Sequence, residues 1–201
     1  MAVAAAAADL PPESKLAPFN PASDTAIAAA VRFLALQPGD VAIDVGSGDG
    51  RVLAALAASC SEARILGVEY NSELAARALA RISAAGLANA QVICADATRP
   101  EHQPEHTDAA FVYLTPGGLA TLAPFLERVI QQRGRGRGRV VSNAFRIPGW
   151  AERGWLRETV RDPHGLAAYC YGLPPPLPPG PPPLPGLAAG EGSEELRPAP
   201  T

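Results

Sequence analysis

The chain has 201 residues, 47% of them hydrophobic, with a formal net charge of -3. That suffices for one ordinary core, and no global excess of charge announces a nucleic-acid partner. Three scattered cysteines, Cys60, Cys94 and Cys170, form no C-x-x-C pair and stand near no histidine cluster, which argues against a zinc site or a disulfide framework and fits a reduced intracellular compartment.

The first segment, "MAVAAAAADLPPESK", is alanine-rich, but it carries Asp9 and Glu13 and has no arginine before Arg32. That is wrong for a transit peptide and too weakly apolar for a signal peptide. Residues 1–16 are expected to be a disordered N-terminus, and no apolar run reaches the roughly 18 residues that a membrane span needs. "VAIDV" (41–45) reads as a short buried strand, and "DGRVLAALAAS" as a helix with Val52, Leu53, Leu56 and Ala57 on one face. "ARILGVE" (63–69) is a second strand, followed by a helix capped by Asn71 or Ser72 and ended by Gly86. "AQVICAD" (90–96) and "DAAFVYL" (108–114) are the third and fourth strands. The helix "GGLATLAPFLERVIQQ" follows despite its internal Pro124, and then comes a fifth strand, "RVVSNAF" (139–145). Repeated strand–helix units with apolar strands imply a parallel sheet covered on both faces. The last part differs: "WLRETVRD" and "LAAYCYG" flank "PHG", the pattern of an antiparallel hairpin.

Two biased segments stand apart. "RGRGRGR" (133–139) resembles an RNA-binding tract, but an enlarged turn before a strand is the better reading in a chain whose 17 basic residues include only one lysine, Lys15. From Pro174 onward lie 11 of the 22 prolines, too dense for helix or sheet ladders. Residues 174–201 are expected to be a disordered tail whose PxxP spacing could dock an SH3-type groove, although no basic residue flanks the prolines before Arg197.

Gly46, Gly48 and Gly50 end the first strand, where open α/β sheets bind ligands. A dinucleotide fingerprint needs glycine where Arg51 stands, and no G-K-[ST] follows, so neither that motif nor a Walker loop is present. Nineteen residues after Gly50, Glu69 closes the second strand, where a carboxylate accepts hydrogen bonds from both hydroxyls of a ribose. Asp96, or the backbone beside it, is positioned for an adenine amino group, and Asp44 for the ligand's other end. Three carboxylates around a nucleoside suit the cationic S-adenosylmethionine (SAM) better than the anionic pyrophosphate of NAD. This reading puts Asp44, Gly46, Gly48, Gly50, Glu69 and Asp96 in the cofactor-binding set, and the family motifs described next imply Ser47, Tyr70 and Ala97 as its further members. His102, His106 and His164 lie in loops without metal-ligand spacing and are read as solvated, and no metal is expected.

"DVGSGDGR", "GVEYN" and "CADA" resemble the SAM motifs of class I methyltransferases. "PFNPAS" and "VSNAFRIPGW" are similar to segments of the ATP synthase c-subunit and adenine nucleotide translocase lysine methyltransferases and their small bacterial relatives, over roughly Ala17 to Tyr171. A looser likeness, limited to the glycine motif and the serine near strand five, extends to a class of histone lysine methyltransferases. The resemblance implies a Rossmann-like class I methyltransferase sheet, mostly parallel with a C-terminal antiparallel hairpin, over residues 17–173. It also implies in-line transfer of methyl from SAM to a protein lysine. Candidate catalytic residues are Phe19, Tyr113, Thr115 and Asn143, with Asn20 and Phe145 as further pocket walls; Pro148 and Trp150 fix the chain's exit. The expected partner is a protein presenting a lysine, with no nucleic acid, and the chain is expected to be a monomer. Animal members carry a membrane-associated segment ahead of the domain that this chain lacks, so a cytoplasmic location is expected, with a mitochondrial one as the alternative. "YLTPGG" after strand four departs from relatives, and the absence of N/D-P-P-Y there argues against an exocyclic base-amine enzyme. The alternatives are an RNA or small-molecule methyltransferase, a catalytically silent SAM-binding scaffold recruited through the tail, and an NAD-binding oxidoreductase.

Overall fold

The computed structural model describes residues 16–131 and 138–173. The expected disordered segments, apart from Leu16, and Arg133–Arg137 of the arginine–glycine tract lie outside the described residues.

Seven strands form one sheet in the order β3-β2-β1-β4-β5-β7-β6. β1 (Val41–Val45) pairs in parallel with β2 (Arg64–Glu69) on one side and β4 (Ala109–Val112) on the other. β3 (Ala90–Cys94) extends the sheet beyond β2, and β5 (Arg139–Asn143) extends it beyond β4, both in parallel. β7 (Ala167–Gly172) is antiparallel to β5 and to β6 (Leu156–Arg161), the hairpin that the sequence indicates. The chain leaves β1 first toward β2 and later returns to its other side at β4. The direction of winding therefore reverses beside β1, which opens a crevice at that strand's carboxyl end.

Strand periodicity sorts the core into two layers. Ala42, Ile65, Phe111 and Val141 pack toward α1 (Asp24–Leu34), α2 (Arg51–Ser59) and α3 (Ser72–Ala84). Ile43, Val45, Val112 and Val140 pack toward α4 (Pro116–Gln131). Because side chains alternate, Asp44, Glu69, Tyr113 and Asn143 emerge at one edge of the sheet on the α1–α3 side. The pairing of Val112 with Ser142 places Tyr113 beside Asn143 one step further along.

Helix ends follow capping chemistry. Ser23 caps α1 by accepting from the Ala26 amide at 3.3 Å, and Asn71 caps α3 by accepting from the Leu74 amide at 3.0 Å. Arg139, the last arginine of the tract, begins β5 and donates to the buried Asp40 carboxylate at 2.6 Å and to the Ala35 carbonyl at 3.1 Å. It is a structural residue. Trp150 is buried edge-on against Trp155 (5.1 Å between ring centroids) and Tyr171 (5.2 Å), while the Tyr171 hydroxyl accepts from the Ile147 amide at 3.0 Å. Ile147 and Trp150 of the "IPGW" stretch are thereby locked into the core, while Pro148 and Gly149 between them are exposed. His106 is exposed, as read from sequence, with Nε2 2.9 Å from Asp108 Oδ1, whereas His102 is half-buried, its Nδ1 2.8 Å from the Asp96 carbonyl. Leu16, assigned from sequence to the disordered N-terminus, is half-buried, and its carbonyl accepts from Thr115 Oγ1 at 2.8 Å.

Gly50 caps α2 at φ +77°, and an added Cβ would lie 2.7 Å from Ala78 Cβ and 2.8 Å from its Cα. Gly86, at φ +65°, has nothing within 4 Å of such an atom. Gly50→Ala should therefore cost about 2–4 kcal/mol, from left-handed strain plus overpacking, and Gly86→Ala about 1 kcal/mol from strain alone. Urea unfolding of both variants tests this; equal costs would refute the packing role of Gly50.

Candidate active site

The loop between β1 and α2 crosses the end of β2. The Gly46 and Ser47 amides both donate to the Val68 carbonyl, at 2.8 and 3.2 Å, and the absence of a side chain at Gly67 makes room for Ser47, whose Oγ would be 2.9 Å from a Cβ there. Glu69 fixes the loop from the other side. Its Oε2 accepts from the Gly48 amide at 2.7 Å and its Oε1 from the Asn71 amide at 2.8 Å. Each carboxylate oxygen keeps further acceptor capacity for a ligand hydroxyl. Gly48 must be glycine: its φ is +54°, and a Cβ would sit 2.6 Å from the Phe19 ring.

Above this loop lies a cavity at the carboxyl ends of β1, β2 and β4. Asp44, Gly46, Ser47 and Gly48 contribute to one side, Glu69, Tyr70 and Ala97 to another, and Phe111 and Tyr113 to a third. The seven consecutive residues 16–22 all line it, forming a strap across the opening. The segment after β4 clasps the strap twice: Thr115 Oγ1 donates to the Leu16 carbonyl at 2.8 Å, and Asn20 Nδ2 donates to the Tyr113 hydroxyl at 2.6 Å.

Asp44 is the unusual group. It is 2% exposed, and its Oδ2 has no hydrogen-bond partner, as is also true of the buried Ser47 Oγ. Burial, and then the neighbouring Glu69 charge, push the Asp44 carboxyl up to about 7, against the opposing pull of the Leu53 amide. An orphaned carboxylate oxygen facing a cavity favours a cation, because such a ligand supplies the missing partner and favours the charged form.

Most of the cofactor set read from sequence meets here, but two members do not line the cavity. Gly50 serves α2–α3 packing instead. Asp96 Oδ1 accepts from the Thr98 amide at 2.9 Å and the Thr98 hydroxyl at 2.7 Å, so its side chain shapes the turn, while flanking Ala95 and Ala97 reach the cavity. Among the substrate-side candidates, Phe19, Asn20 and Tyr113 line the cavity, whereas Thr115, Asn143 and Phe145 do not. Thr115 accepts from the Gly118 amide at 3.2 Å and so steadies the first turn of α4. Asn143 is 1% exposed with its Nδ2 unpartnered, and Phe145 is 42% exposed. The sequence reading missed Arg51, which lines the cavity and whose only sequence signal was a failed dinucleotide fingerprint, and Phe111, an ordinary strand aromatic until the sheet is assembled.

This strand order, with a cation-seeking nucleoside cavity at the end of β1, defines a class I SAM-dependent methyltransferase, and SAM is the cofactor. Residues 44–153 match the ANTKMT methyltransferase domain, and the chain belongs to that family. Among solved structures, an RNA methyltransferase from Salinibacter ruber in complex with S-adenosyl-L-homocysteine is 26% identical, with 80% of this chain and 97% of that one covered at a TM-score of 0.64. A precorrin 8W decarboxylase from Methanobacterium thermoautotrophicum is 18% identical (82% and 100% covered, TM-score 0.58), and an rRNA methylase from Streptococcus thermophilus is 16% identical (73% and 95%, TM-score 0.54). These last two share the fold. Comparison with curated proteins returns no match.

Because folding raises the Asp44 pKa to about 7, its stabilising contribution is complete below pH about 4 and is lost as pH rises through 7. Asp44→Asn should therefore flatten the fall in Tm between pH 5 and 8 and raise Tm at pH 8. It should also abolish the gain in SAM affinity that the wild type shows over the same range. Calorimetric scans and titrations check both; an unchanged pH profile in the variant would refute the assignment.

Proposed function

We propose that this protein transfers the methyl group of SAM to the side chain of a lysine in a protein substrate. The observation that carries this reading is the apolar and aromatic share of the cavity's lining, Phe19, Phe111, Tyr113 and Leu114, with Asn20 Nδ2 donating to the Tyr113 hydroxyl at 2.6 Å. Such walls suit an alkyl chain. They also disfavour the charged ammonium by desolvation, which lowers the pKa of a lysine from its free value of about 10.4. The hydroxyl of Tyr113 accepts from Asn20, so its own proton and remaining lone pair are available to orient an amine. Bound SAM supplies an electrophilic methyl on a sulfonium, and the protein's task is to hold the neutral nitrogen in line with it. Positioning of this kind is worth about 7–11 kcal/mol. The resemblance of "PFNPAS" and "VSNAFRIPGW" to translocase and c-subunit lysine methyltransferases supports the same substrate class.

RNA is the second reading, favoured by the Salinibacter structure, which is an RNA methyltransferase. Against it, the sequence after β4 is Tyr113-Leu114-Thr115-Pro116, with Leu114 buried and Thr115 engaged with Leu16 and Gly118. We infer from the family resemblance a cytoplasmic or mitochondrial enzyme that acts as a monomer.

Purified protein supplied with methyl-labelled SAM and a membrane-containing extract should place label in methyl-lysine after hydrolysis of the protein fraction; label confined to RNA or small molecules would overturn the lysine reading. Tyr113→Phe should lower kcat about tenfold or more while leaving S-adenosylhomocysteine affinity within about twofold. Removal of residues 174–201 is expected to leave methyl transfer intact, and its loss would favour a scaffold recruited through the tail.

A further inference from the structure

The ionised cofactor carries an ammonium and a carboxylate on the same carbon, so a site that recognises this end needs charges of both signs. Asp44 answers the ammonium through its unpartnered Oδ2. Among the described residues, the charged ones lining the cavity are Asp44, Asp49, Glu69 and Arg51, and Arg51 is the one cation.

The sequence and the hydrogen bonds give Arg51 the right form for an anion. It is the first residue of α2 and lines the cavity, with the Asp49 carboxylate at the same helix end accepting from the Arg51 amide at 3.4 Å. Asp49 grips two edges of the guanidinium, with Nε to Oδ1 at 3.0 Å and Nη2 to Oδ2 at 2.8 Å. The remaining Nη1 reaches only the Ala22 carbonyl of the strap, at 3.4 Å, well beyond the usual N–H···O separation of about 2.9–3.0 Å. Asp49 also receives Arg81, through Nη2 at 3.1 Å to its carboxylate and Nε at 2.9 Å to its carbonyl. Two guanidiniums therefore share one carboxylate, and the trio carries a net positive charge, with the Asp24 charge also acting on Arg51. Its only guanidinium on the cavity wall is Arg51, held rigid with its third edge weakly used.

We infer that Arg51 binds the carboxylate of the cofactor's amino-acid end through its Nη1 edge, opposite the ammonium taken by Asp44. The site thus reads a zwitterion, and it separates SAM from ligands with the same nucleoside and sulfonium but no carboxylate. The inference rests on the cofactor and is independent of the lysine substrate.

The test is calorimetric binding of SAM and of decarboxylated SAM, which keeps the nucleoside, sulfonium and amine. Wild-type protein should prefer SAM by about tenfold to a hundredfold, the scale of a charge-assisted hydrogen bond. Arg51→Ala should bind both ligands alike, with its affinity for the decarboxylated form within about twofold of wild type. Three results would overturn the assignment: no preference in wild type, a preference retained in Arg51→Ala, or equal weakening of both ligands in the variant, which marks a purely structural role. Arg51→Met replaces the alanine variant if the latter fails to fold, and the wild-type comparison alone is decisive against the inference.

Discussion

The Glu69 carboxylate is the constraint on which the site depends. It ends β2, accepts the Gly48 amide with one oxygen and the Asn71 amide with the other, and so ties the glycine loop to the start of α3. Both bonds are charge-assisted and the side chain is 7% exposed, which makes them strong for their kind. With the loop held, α2 can begin immediately at Arg51, Phe19 can lie across Gly48, and Asp44 is left beneath the loop without a partner for Oδ2. The same carboxylate contributes to the electrostatic strain on Asp44, because two acids share one poorly hydrated pocket.

That strain is the physical link between fold and ligand. A buried acid that prefers to be neutral weakens the folded state at neutral pH, and a cationic ligand relieves the cost by supplying the missing partner. The opposite sign is arranged close by, on the guanidinium that Asp49 holds at the start of α2. The strap of residues 16–22 then closes over both, clasped to Tyr113 and Thr115, so one wall of the cavity comes from chain that precedes the first helix. Access to the cofactor and the surroundings of the attacking nitrogen are therefore shaped by the same short segment.

Much of this was legible in the sequence, for identifiable reasons. The apolar face of Val52, Leu53, Leu56 and Ala57 is the buried face of α2, because helical periodicity is a local property. The five parallel strands and the hairpin follow from short apolar runs and turn residues, and the glycine loop with Glu69 at the next strand end lies at the ligand crevice because strand ends converge there. Where the structure turns a candidate side chain to another task, its partner decides the matter, and most such partners lie far away in the sequence. Thr98 engages one Asp96 oxygen while the neighbouring Ala95 and Ala97 line the cavity, Leu16 engages Thr115, and Ala78 packs against Gly50.

The sequence by itself determined the class of fold, the nucleoside crevice and the sign of its charge, since each rests on strand pattern and residue type within a short stretch. Only the tertiary structure decided which polar groups were left unsatisfied. Asp44 Oδ2 lacks a partner because loop, strand and helix close around it from separate parts of the chain. Arg51 has a third edge weakly used because Asp49 occupies the other two while Ala22 stands at the limit of reach. Such vacancies are properties of three-dimensional packing, and they carry the chemistry.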